Sequence, residues 1–68
     1  MLSDTDLAVL RFAARAPRSL GKREDAIRAE LGMTPIRYYQ RLNVLLDNPE
    51  ALAAEPQLVR RLQRLRDA

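Results

Sequence analysis

Apolar positions along this chain recur at helical spacing and never alternate as in a strand. Leu7, Leu10 and Ala14 share one face of a predicted first helix, Asp4 to Ala14, and Val9 and Phe12 widen that face. Ser3 stands in front of it as an N-cap. Asp6, three residues on, makes a near capping box, and Asp4 favours the positive helix end. Ala16-Pro17-Arg18 ends the run, because proline biases its predecessor away from helical geometry. A second helix is predicted from Lys22 to Leu31, with Ile27 and Leu31 inward at i, i+4 and Ala26 alongside. Gly32 follows where a left-handed residue is wanted. A third helix restarts at once: Thr34 caps it, Pro35 suits its first position, and it runs to Leu46 or Asp47. Tyr38, Leu42, Leu45 and Leu46 form its inner face. Asn48-Pro49 and Glu55-Pro56 then each read as a capping polar residue before a helix-starting proline, predicting helices over 49–54 and 56–66. Leu58, Leu62 and Leu65 stripe the last helix, and Arg60, Arg61, Arg64 and Arg66 cover the rest. Strand signals are weak: valine occurs three times and β-branched residues do not cluster. The expected fold is all-α, a small bundle of four to five helices in one domain over residues 1–68.

The stretch "IRAELGMTPIRYYQRL", residues 27–42, carries the sharpest signal. Two short helices meeting at Gly32-Met33-Thr34 match a helix-turn-helix: Ile27 and Leu31 inward, Gly32 in the turn, Met33 plugging the angle, Tyr38 and Leu42 inward again. One position departs from that motif. A small residue usually follows the inward aliphatic of the first helix, and here Arg28 stands there with Ala29 one later. Opposite the inner face of the third helix lie Ile36, Gln40, Asn43 and Asp47, flanked by Arg37 and Tyr39. Gln and Asn pair with an adenine edge, Arg with guanine or phosphate, and an exposed Ile meets a thymine methyl. The N-terminal part of such a helix enters the major groove. Thr34, Pro35, Ile36, Tyr39, Gln40 and Asn43 are therefore the expected base readers, and Lys22, Arg23, Arg28, Arg37 and Arg41 the expected phosphate contacts. Plain αα packing gives the same spacing. In that reading Ile36 and Val44 pack against the last helix, and Gln40 is merely solvated.

Charge changes the picture by its distribution. The chain is net +3, but residues 11–41 alone are net +5 and residues 58–68 net +3, while residues 1–10 and 42–57 are acidic. Basic charge therefore flanks and includes the stretch above, as an anionic partner requires. Candidate chemistry is sparse. Without Cys or His the commonest nucleophile, general base and metal ligand are missing, and serine occurs only at Ser3 and Ser19. No catalysis, cofactor, metal or small-molecule substrate is expected. Every apolar run is cut by Arg, Asp or Pro, so neither a membrane span nor a signal peptide is expected, and the cytoplasm, with its nucleoid, is the default location. At 68 residues only about 60% of the unfolded surface is buried on folding.

Arg37-Tyr38-Tyr39-Gln40, Leu42-Asn43, Asn48-Pro49-Glu50-Ala51-Leu52 and Pro56 with Leu58-Val59 and the Arg-Leu tail, with Ala26-Ile27-Arg28 upstream, are similar to a small actinobacterial family known as a domain of unknown function. The resemblance covers most of the chain. It implies a stand-alone helix-turn-helix protein that binds double-stranded DNA, as a transcriptional regulator or nucleoid-associated protein. A homodimer reading two half-sites is the expected arrangement on DNA. The alternative is a protein-interaction adaptor using the same helices on RNA polymerase or a sigma factor.

Overall fold

Most of the helices begin where a side chain takes up free backbone amides. In the computed structural model, which describes residues 1–67, there are five: α1 (Asp4–Arg15), α2 (Leu20–Ala26), α3 (Pro35–Leu46), α4 (Pro49–Ala54) and α5 (Pro56–Asp67). Ahead of α1 the capping box is complete: Asp6 N–H donates to Ser3 Oγ at 3.0 Å, and Ser3 N–H donates to Asp6 Oδ2 at 3.2 Å. Thr34 Oγ1 accepts from Arg37 N–H at 3.3 Å, and Asn48 Oδ1 from Glu50 N–H at 2.9 Å. Pro35, Pro49 and Pro56 each open their helix, where the missing N–H leaves no donor unpaired.

Between α2 and α3 the coil first widens. Ile27–Leu31 continues α2 as a π-helical turn, a feature with no signature in the sequence. Gly32 closes it at φ 63° and ψ 24°, and its N–H donates to Arg28 C=O at 3.2 Å. Met33 and the Thr34 cap then turn the chain directly into α3. The π turn keeps Ile27 fully buried and leaves Arg28 on the outside, so the crossing with α3 does not need a small residue there.

The core gathers Val9, Leu10 and Phe12 of α1, Ile27, then Tyr38, Leu45 and Leu46 of α3, with Ala51 and Val59 from α4 and α5. Phe12 stands edge-on to Tyr38, centroids 5.4 Å apart at 83°. That contact sets the roll of α1 and corrects its expected inner face: Ala14 is exposed and Leu7 only half-buried. The helices α4 and α5 fold back across the end of α3, where Gln63 Nε2 donates to Leu46 C=O at 2.5 Å. The leucine stripe of α5 is only partly used. Leu58 and Val59 are buried, Leu62 is half-buried, and Leu65 is 69% exposed. Nor do Ile36 and Val44 pack beneath the last helix; they are 71% and 60% exposed.

The result is a thick disc of 29 × 28 × 17 Å. Its accessible surface of 4820 Å² exceeds the roughly 4,400 Å² usual for this mass. Among the described residues no helix is long and apolar enough to cross a membrane.

Candidate nucleic-acid interface

The helix α3 is amphipathic, so burying Tyr38, Leu45 and Leu46 fixes which side chains face outward. Ile36, Gln40 and Val44 fall at i, i+4, i+8 along the outer face, and all three are exposed. Gln40 and Val44 lie on a shallow depression shared with Thr5, Met33, Arg37 and Arg41, where the start of α1 runs beside α3. Among the described residues no element lies over Ile36, Gln40 or Val44.

The expected base readers divide. Ile36 and Gln40 are open, and among the described residues nothing hydrogen-bonds the Gln40 amide. Thr34 is exposed, though its hydroxyl oxygen already accepts from the Arg37 amide. Pro35 is a correction: the residue is buried, turned inward by the same helix start that its ring favours, and has no free surface for a base. Tyr39 keeps part of its ring in solvent, while its hydroxyl accepts a 2.6 Å hydrogen bond from Arg23 Nε. Its ring packs edge-on to Tyr38 at 5.0 Å. Asn43 is exposed but occupied, its Oδ1 accepting from Arg66 Nη1 at 3.0 Å.

The expected phosphate contacts divide the same way. Lys22 and Arg37 are exposed and meet no carboxylate among the described residues. Arg28 is loosely held, 3.9 Å from Asp25 on its own helix. Arg23 is half-buried, with its guanidinium 5.8 Å from the Tyr39 ring centroid, bonded to that hydroxyl and, at 3.4 Å, to Pro17 C=O. It holds α2 to α3 rather than standing free. Arg41 Nε lies 3.0 Å from Asp6 Oδ1, whose side chain is only 13% exposed. The contact is an ion pair, and Oδ1 accepts no hydrogen bond among the described residues. A free anion approaching Arg41 competes with a partly buried carboxylate.

One participant was expected only on the solvated side of the last helix. Arg66, near the end of α5, reaches back across α3 and brackets Asp47, with Nη2 to Oδ1 at 3.0 Å and Nη1 to Oδ2 at 3.4 Å, besides Asn43. The hydrogen bond to Asp47 holds its guanidinium still more firmly protonated. The available signal was the i, i+4 pair of acceptors, Asn43 and Asp47, on the outside of α3. Pairing it with Arg66 required knowing that α4 reverses the chain.

No curated protein and no solved structure matches this sequence. A family model matches residues 1–68, and the chain belongs to that family, whose description is "Protein of unknown function (DUF3263)".

Proposed function

We propose that this chain is a helix-turn-helix protein that binds double-stranded DNA and acts as a transcriptional regulator or nucleoid-associated protein. In this reading α2 with its π turn is the first helix of the motif, Gly32-Met33-Thr34 the turn, and α3 the helix that enters the major groove. The supporting observation is the open outer face of α3, with Ile36 71% exposed and the Gln40 amide unengaged. Gln40 reads an adenine edge and Ile36 a thymine methyl, while Lys22, Arg28 and Arg37 sit beside the phosphates. Asn43 joins only when Arg66 lets go of it. The action is occupancy of a site, with no bond made or broken.

A single module of this kind buries about 600–1,000 Å² on DNA. Useful affinity therefore comes from two copies on half-sites about 34 Å apart. The test is duplex affinity measured across a range of salt. Each phosphate neutralised contributes a slope of about −0.9 in log affinity against log salt. With three cations engaged the slope per copy is near −3. Absence of duplex binding at low salt, or a flat slope, would remove this reading and leave the adaptor on RNA polymerase or a sigma factor.

A further inference from the structure

On the side of the disc away from the open face of α3, the end of α1, the middle of α3 and the outer half of α5 enclose a groove of about 480 Å³, within the roughly 300–1,000 Å³ of ligand-binding clefts. Its floor is apolar: Ala16, Leu42, Leu62 and Leu65 line it beside the edge of Tyr38. Leu65, 69% exposed, is the large apolar side chain that the bundle leaves uncovered there.

Among the described residues the groove's charge has one sign. Arg18, Arg23 and Arg61 stand among its lining residues, and no carboxylate does. Arg18 and Arg61 meet no carboxylate anywhere among the described residues. Arg23 is held in place by Tyr39 and by Pro17 C=O, a fixed cation in the wall. Shape and charge select the occupant. An apolar floor between cationic walls fits a short amphipathic helix whose leucine-type side chains enter the groove and whose acidic residues meet the arginines. Nucleic acid fits poorly, since a phosphate backbone has no apolar face to set on Leu62 and Leu65. We propose that this groove is a docking site for an acidic amphipathic helix of another protein, independent of what α3 binds.

The probe is a fluorescent synthetic peptide of about twelve residues, with Leu at i, i+3, i+4 and i+7 and Asp or Glu elsewhere. Two control peptides go with it, one with the acids replaced by lysine, one with the same composition but the leucines scattered around the helix. Anisotropy with the full chain is expected to show the acidic amphipathic peptide binding at least about tenfold more tightly than either control. Arg61→Glu and Leu65→Asp should each weaken it by about tenfold or more. Both residues are exposed, so the thermal midpoint should stay in place, and duplex binding should lose far less than peptide binding. Equal binding of all three peptides, or indifference to both substitutions, overturns the proposal. A duplex oligonucleotide that displaces the peptide and loses affinity equally with Arg61→Glu reassigns the groove to nucleic acid. A concentration-dependent dimer abolished by Leu65→Asp, with no peptide binding, reassigns it to a second copy. Absence of duplex binding alone would remove the DNA reading and leave this one standing.

Discussion

At the scale of single residues, two positions hold conformations or protonation states that a substitution can test. Gly32 sits at φ +63°, and nothing lies within 4 Å of the place a Cβ would take. Gly32→Ala therefore introduces backbone strain with no clash, a cost of about 1 kcal/mol, read as a lower urea midpoint with unchanged slope. Tyr38 is the second. Burial, with a smaller push from Tyr39 and against the pull of Arg23, raises its phenol from 10.0 to about 12. The unfolded chain then loses this proton first. The folded state keeps its stability below about pH 10 and loses on the order of 1–3 kcal/mol as pH rises toward 12. Urea unfolding at about pH 8 and about pH 11 should show that decline, and Tyr38→Phe should diminish it. Residue character was the most legible level of the sequence. Ser3 with Asp6, Thr34 with Pro35, and Gly32 each perform the local task that their chemistry fits. What stayed hidden was direction. A proline in the first turn of a helix satisfies the backbone whichever way its ring faces, so nothing in the sequence said that Pro35 would be buried.

At the scale of elements, α3 buries one face and leaves the other exposed, and the proposed function assigns the exposed one to DNA. In the proposed reading, Gln40→Ala costs about 1–3 kcal/mol on a preferred duplex and little on random DNA. Arg37→Ala weakens all duplexes alike and flattens the salt slope by about one. Equal losses for Gln40→Ala on both duplexes, or a change of site preference in Arg37→Ala, would reverse those roles. Helix positions were legible to within a residue or two, because caps and prolines mark them. The exact inward face was less so. Ala14 lies at helical spacing from Leu7 and Leu10, yet the Phe12–Tyr38 contact rolls α1 so that Ala14 faces out. The clasp of Arg66 on Asn43 and Asp47 joins residues far apart in the chain, which no local pattern encodes.

At the scale of the whole molecule, the limiting quantity is core size. Few side chains are fully buried, and Phe12 touches the centre of the cluster. Removing a buried Phe side chain costs about 3–5 kcal/mol, comparable to the whole stability of a domain this small. Phe12→Ala is expected to abolish the cooperative thermal transition and most of the helical circular dichroism, whereas a folded variant would mean that the arginine-rich edges contribute more than the core does. The charge distribution was legible in outline as blocks along the chain, but not in effect. Folding spends Arg41 on Asp6, Arg15 on Glu30 at 2.6 Å and Arg66 on Asp47, while among the described residues Lys22 and Arg37 beside α3, Arg18 and Arg61 beside the groove, and Arg11, Arg60 and Arg64 elsewhere on the surface meet no carboxylate.

The π turn at Ile27–Leu31 has a consequence for length. An ordinary helix cannot lose a residue without turning everything beyond it by about 100°. A bulged coil can, since shedding one of its surplus residues returns it to standard pitch while both flanks keep their bearings. Deleting Ala29, which is exposed in that turn, is therefore expected to leave the helical circular dichroism and the cooperative thermal transition in place. Ile27 would still enter the core and Gly32 would still make the corner.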